Sequence, residues 1–385
     1  DKGFIAIPKV QDEYGPGDHG KYAFVDGKGG GLNDTDYDIW GPKFEGQLIT
    51  QYDSEIDPAT GELIPKPWTA RGKDNLKRFI ETGVQTTANL ALSAATDKYD
   101  LRFSMSHSYQ KGIVPNTKLN ITNFNINSGF NFSPKLRLEA NVNYNRQYTP
   151  NYPDVNYGPN SMIYNMNIWG GADWDVDEMR NYWQKGKEGV QQIYAEYFRY
   201  NNPYFLVYEW LRGHYKNDIY GYATLTYKLN RDLEITGRTQ ITTYDLFRNE
   251  KFPYSAGTYG REERLGDYRE DRRSLFENNT EVMLRFNKSL GHGLNLGAFV
   301  GGNLRSFQYS SNYTTTDYLN VPGVYNFSNT RNPLRAFNFN SDMRVLSGYY
   351  SFHLGIGRFD NLSTTGRVDK ISTLPTKNNS YFYPS

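Results

Sequence analysis

Residues 136–145 read Leu-Arg-Leu-Glu-Ala-Asn-Val-Asn-Tyr-Asn. Leu136, Leu138, Ala140, Val142 and Tyr144 fall at every second position, and Arg137, Glu139, Asn141, Asn143 and Asn145 fill the positions between. A side-chain period of two is the mark of a β-strand with one apolar and one polar face. The same alternation runs through 99–110, where Tyr99, Leu101, Phe103, Met105 and Tyr109 oppose Asp100, Arg102, Ser104, Ser106, Ser108 and Gln110. It recurs in 122–132, 219–229, 233–243 and 346–356, and less cleanly in 84–93, 274–288 and 294–309.

These segments are long. A strand in a soluble protein runs about 5–6 residues, whereas a tilted strand crossing a bilayer needs about 9–11. The connections between them alternate in length. Links at 94–98, 133–135, 230–232, 289–293 and 359–361 are short, and those at 111–118, 149–216, 247–273 and 310–345 are longer. Tight turns at one end and long loops at the other are the pattern of an outer-membrane barrel. The expected fold is all-β, an antiparallel transmembrane β-barrel with long extracellular loops that carry short helices. Residues 1–83 read as an extracellular loop region leading into the barrel, with a short helix near 74–80. Residues 84–385 read as barrel hairpins, and a second short helix is expected at 176–184 in the long loop.

Composition agrees. The 385 residues carry 43 Lys+Arg against 42 Asp+Glu, so no basic excess points to nucleic acid. Cysteine is absent, which removes thiolate metal sites, cysteine nucleophiles and disulfide scaffolds. With 33 Tyr and 22 Phe, the chain favours strands and aromatic girdles at membrane interfaces. No run of about 18 apolar residues is present, so no transmembrane helix is expected.

Little catalytic chemistry is legible. The five histidines sit on separate segments, and no metalloprotease, nucleophile-elbow or phosphate-loop motif is found. Gly291-His292-Gly293 lies between two strands and reads as a hairpin turn. No cofactor is expected. Asp34, Asp36 and Asp38 alternate as oxygen ligands for calcium would, but lack the Gly and distal Glu of a calcium loop, and a solvated turn is the stronger reading. In the long loop, Trp169, Asp173, Trp174, Asp175, Tyr182 and Trp183 combine ring faces with carboxylates. That set suits a sugar or peptide ligand, and equally suits loop-on-loop packing. Arg102, Arg137, Glu139, Arg238 and Gln240 fall on polar faces and are expected to face a lumen.

Several phrases resemble one family. Pro8-Lys9-Val10-Gln11-Asp12-Glu13-Tyr14-Gly15-Pro16-Gly17, Trp40-Gly41-Pro42-Lys43-Phe44-Glu45-Gly46-Gln47 and Asp74-Asn75-Leu76-Lys77-Arg78-Phe79-Ile80-Glu81-Thr82-Gly83 are similar to the early barrel region of SusC/RagA-type TonB-dependent transporters. Lys111-Gly112-Ile113-Val114-Pro115-Asn116-Thr117 resembles that family's first external hairpin, and Asn201-Asn202-Pro203-Tyr204 and Ser372-Thr373-Leu374-Pro375 continue the match. Pro16 stands where the family often has Gln, and Ala94-Ala95 where it often has Gly-Gly. The resemblance implies a 22-stranded barrel in the outer membrane, of which about ten strands are legible here, so a partial barrel is expected, with the plug domain absent from this chain. It further implies import of glycan or peptide oligomers, a SusD-like surface lipoprotein as lid, and TonB as energy source. A passive porin, a barrel enzyme and a structural or secretion-associated barrel stay open as alternatives.

Overall fold

The computed structural model describes residues 7, 9–22, 39–51, 53–155, 157–168, 170–195, 200–357 and 360–385. Its main feature is a sheet of eleven antiparallel strands in which every strand pairs with its neighbours in sequence. The strands are β1 (Val84–Ala95), β2 (Tyr99–Lys111), β3 (Lys118–Ser133), β4 (Leu136–Thr149), β5 (Leu211–Lys228), β6 (Leu233–Phe252), β7 (Asp267–Gly291), β8 (Leu294–Leu319), β9 (Thr330–Ile356), β10 (Asp360–Ile371) and β11 (Ser380–Pro384). This is one strand more than the alternation had shown, because β11 is only five residues long. The sheet is open, with β1 and β11 at its two edges.

Register turns the period of two into two continuous surfaces. Tyr99, Phe130, Leu138, Leu225, Gly237, Val282, Gly302, Gly348, Val368 and Phe382 stand opposite one another in a single row from β2 to β11. One residue along, Asp100, Gly129, Glu139, Thr224, Arg238, Glu281, Asn303, Ser347, Asp369 and Tyr381 form the next row. Successive side chains point to opposite faces, so the first row lies on an apolar face and the second on a polar one. The apolar face is exposed: Leu90, Leu92, Ile126, Val142, Leu225, Val282, Val300, Leu346 and Leu362 all lie open on it. Soluble proteins rarely expose contiguous apolar patches above a few hundred Å². A band across eleven strands is the surface that hydrocarbon covers.

Strands β6 to β9 outrun the bilayer. At about 3.4 Å per residue a 25-residue strand is about 85 Å long. The loop expected at 310–345 is therefore mostly strand and that at 247–273 about half strand, and the actual connections are 253–266 and 320–329. The reason is physical. Above the membrane both faces are wet, so the hydrogen-bonded ladder continues without the apolar alternation that marks it in sequence. At the opposite end the turns are tight. β7 and β8 are joined by His292-Gly293 alone, with φ of 50° and 80°. Two positive φ values are what a two-residue hairpin turn of the twist-matching kind requires.

Residues before β1 and between β4 and β5 pack together on the outer side, against the end of β6. Their core contains Phe79, Met162, Met166, Trp174, Val176, Met179, Tyr204, Phe205, Trp210 and Phe252. Three short helices frame it: α1 (Asn75–Phe79), α2 (Met162–Asn167) and α3 (Pro203–Tyr208). Asn202 caps α3 by accepting from the backbone N–H of Tyr204 and Phe205, with Pro203 in the first turn, where its missing N–H costs nothing. The helix expected at 176–184 is reduced to one 3₁₀ turn, Glu178–Arg180. A tertiary contact and a local turn override the helical preference: the Val176 N–H donates to Asn75 Oδ1, and the Asp177 N–H donates to the side chain of Asp175 two residues back. Further out, Trp68 is fully buried, donates through Nε1 to the Pro42 carbonyl at 2.8 Å and packs on Tyr22 and Phe44. A Cβ on Gly15 would stand 2.0 Å from its ring, so only glycine fits there.

Candidate functional site

The polar face of the sheet is knitted by charge pairs and amides. Arg137 donates to Asp100 at 2.8 Å and to Glu139 at 3.0 Å. Asn125, Asn127, Asn141 and Asn143 hydrogen-bond in a ladder between β3 and β4. The Arg238 guanidinium lies 4.6 Å from the centre of the Tyr222 ring, and Arg305 grips Glu277 with two bonds of 2.9 Å. Arg102 reaches Ser93. In the next row on this face, Arg102, Asn127, Asn141, Tyr222, Gln240, Asn279 and Arg305 stand opposite one another. Arg102, Arg137, Glu139, Arg238 and Gln240 thus share one face, the one turned away from the apolar band.

At the outer end of this face a cavity of about 210 Å³ opens between β4's exit and strands β5 to β8. Its lining includes Tyr152, Arg212, Arg248, Glu250, Arg269, Asp271 and Tyr313. Two carboxylates anchor it. Glu250 accepts from Trp210 Nε1 at 2.6 Å, Arg212 Nε at 3.0 Å and Arg269 Nη1 at 3.0 Å. Asp271 accepts from Arg248 and from Arg273. Charge-assisted bonds of this kind are roughly twice as strong as neutral ones and hold side chains in fixed directions. The result is a rigid rim of guanidinium and carboxylate groups with tyrosine walls. Such a rim can orient a polar oligomer through directed hydrogen bonds and ring contacts. Alternation did not reveal these residues. The signal was charge density at the two ends of the expected loop, Arg248-Asn249-Glu250-Lys251 and Arg269-Glu270-Asp271-Arg272-Arg273.

The aromatic and acidic cluster in the long loop has a different position from the one expected of a ligand site. Trp174 is 1% exposed and sits in the loop core, and Asp173 is also buried. Asp175 is held by Arg78 at 2.7 Å, and Arg78 also reaches Asp177. The Tyr182 hydroxyl donates to Glu209 at 2.8 Å, and Trp183 packs edge-on against Phe205. Trp169, and Asp34, Asp36 and Asp38, lie outside the described residues. The carboxylates serve as a clasp between segments distant in sequence. Arg71 bonds Asp53, Gln51, Glu178 and the Asp173 carbonyl, and Asn75 Nδ2 donates to the Trp174 carbonyl.

Burial sets the electrostatics of this clasp. Loss of solvent pushes the Asp173 carboxyl up to about 7 from its ordinary 3.8, against the pull of its own backbone N–H and of Arg71, and its Oδ1 has no hydrogen-bond partner. Asp53 and Asp175 move the other way. Burial raises both, but Arg71 and Lys66 outweigh it at Asp53, and Arg78 with the Asp177 N–H outweighs it at Asp175. Burial and the bond to Glu209 raise the Tyr182 hydroxyl.

No protein-family model matches the chain, and no curated protein matches it in sequence. Its structure does resemble solved ones. The RagAB peptide importer in its open-open state superposes with a TM-score of 0.64 at 14% identity, and the same importer in its closed-closed state with 0.63 at 12%. A further structure of the RagAB peptide transporter gives 0.62 at 13%. Each alignment covers 81% of this chain and 34% of the other, so the chain spans about a third of those proteins' length. The eleven-stranded sheet shares its fold with about a third of the RagAB importer chain.

Proposed function

We propose that this chain supplies the central hairpins of an importer that moves oligomeric nutrients, glycan or peptide, across the outer membrane. The observation that carries the reading is the two-faced sheet. One residue of register separates an unbroken apolar row from an unbroken polar one, and the fold matches a solved importer. In this reading Arg102, Arg137, Glu139, Arg238 and Gln240 line a wet interior. The Arg212, Glu250, Arg269 and Asp271 rim meets the ligand first, at the outer end. Ligand contact is assigned to that rim and not to Trp174, whose ring is buried.

Import of this kind would also use a plug, a segment that engages TonB, and a SusD-like lipoprotein over the mouth. The test is uptake by cells of a labelled oligomer, with the gene intact or deleted, before and after the proton-motive force is collapsed. Uptake that requires both the gene and the proton-motive force is expected. Uptake that requires the gene but survives collapse would replace this reading with a passive porin.

A further inference from the structure

The outer half of β9 has an open edge. β10 pairs with β9 from Ile356 up to Val345, and the last link is the Ser372 N–H donating to the Arg344 carbonyl. Beyond it, residues 335–343 pair with β8 alone. Every side chain from 331 to 340 is exposed. A strand edge presents a row of unmet N–H and C=O groups at the strand repeat, and proteins usually blunt it with lysine, proline or a bulge. Pro333 and the register shift opposite it blunt the outer tip of this edge, but between Leu334 and Met343 there is neither lysine nor proline, and Arg331 and Arg335 are held by Glu263 and Asp317.

The side chains on this edge are also unusual. Phe337 and Phe339 are 66% and 58% exposed, and both project from the polar face. Phe337 stands opposite Tyr313, their ring centres 6.2 Å apart, and Phe339 lies 6.1 Å from Tyr309. Tyr313 is also a wall of the Arg-lined cavity. The aromatic edge and the cavity are therefore one continuous surface.

We infer that the outer edge of β9 captures an extended ligand peptide by strand addition, with apolar residues of the peptide laid beside Phe337 and Phe339. Backbone pairing supplies affinity, and contacts at alternate side chains supply selectivity. A glycan carries no matching ladder of N–H and C=O groups, so this edge selects polypeptide. Continuity with the cavity through Tyr313 makes a ligand peptide the occupant, in preference to a partner's strand. The inference narrows the substrate class of the import reading, and it can fail while import stands.

The experiment is amide hydrogen exchange on the full-length transporter in lipid, read over residues 331–343 in three arms: alone, with a tryptic digest of casein, and with a maltodextrin mixture. Exchange is expected to be fast alone, slowed about tenfold or more by the peptide digest, equivalent to about 1.4 kcal/mol of protection, and unchanged by maltodextrin. Phe337→Ser with Phe339→Ser, both at exposed positions, should remove that protection while leaving exchange in the β9 segment paired with β10 unaltered. Protection already present without peptide would mean that the edge is covered by another strand, and would overturn the inference. Equal protection by maltodextrin, or none by peptide, would overturn it too. Loss of all uptake in cells, by contrast, would defeat the import reading whatever the edge does.

Discussion

The sheet and the loop body use the same apolar side chains in opposite ways. In the sheet Leu225, Val282 and Leu346 are open to the outside, and the polar residues are the ones gathered on the shared inner face. In the loop body Trp174, Phe205 and Val207 are enclosed, and Arg71 and Arg78 clasp the segments around them. The difference is one of solvent. The sheet leaves its apolar burial to lipid and satisfies its backbone by pairing strand to strand. The loop body must build a core of its own in water, and does so by tying 39–80 to 150–210 with Arg71, Asn75 and Arg78. Identity of residue type is therefore a poor guide to role here, and position in one region or the other decides it.

Five substitutions probe that contrast. Trp174→Ala should cost the loop body about 3–5 kcal/mol, the usual range for deleting a buried Trp. Limited proteolysis should then cut within 150–210 while the sheet stays protected. Resistance equal to the parent would remove Trp174 from the core.

In the sheet, Leu225→Arg places a charge in the apolar band and should cost about 2–4 kcal/mol, whereas Thr224→Arg, one residue away on the polar face, should cost about 0.5 kcal/mol or less. Denaturant unfolding from bilayers measures both. Similar losses for the two would break the assignment of faces.

Asn75→Ala leaves the Trp174 carbonyl and the Val176 N–H without their partner. That should cost about 1–3 kcal/mol, seen as faster exchange of the Val176 amide with no change in β4 or β5.

The smallest effect is a slope. Asp173 is about 7 in the folded loop and 3.8 ordinarily. The folded form therefore holds a proton that the unfolded form has lost across that interval. Its contribution to stability is full below about 3.8 and falls as pH rises toward about 7, then stays level. Asp53 and Asp175 contribute with the opposite sign, losing their stabilisation as pH falls below their ordinary range. Asp173→Asn should remove the first slope and keep the second. Protection of the loop against protease, followed from about pH 4 to about pH 7 in parent and variant, reads the difference. Identical profiles would show that Asp173 does not titrate in that window.

Much of the sheet was legible because lipid imposes a strict rule: wherever one face meets hydrocarbon, apolar residues must recur at every second position. The rule stops where the lipid does. Residues 248–251 and 269–273 are as firmly paired as the strands below them, yet read as loop because both faces are wet and charged. The aromatic and acidic cluster was ambiguous for another reason. A Trp between carboxylates looks the same whether it stacks on a ligand or fills a core, and the partners that decide it, Asn75 and Arg78, lie 99 and 97 residues away from Trp174 and Asp175.

The sequence by itself determined which side chains share a face within each strand, and at which end the tight turns fall, because both follow from local geometry with a period of two. Only the tertiary structure decided how those strands align into rows, how far they rise above the membrane, and which carboxylates are clasps and which line a cavity. Those depend on pairing between residues far apart in the chain, and no local pattern encodes a partner.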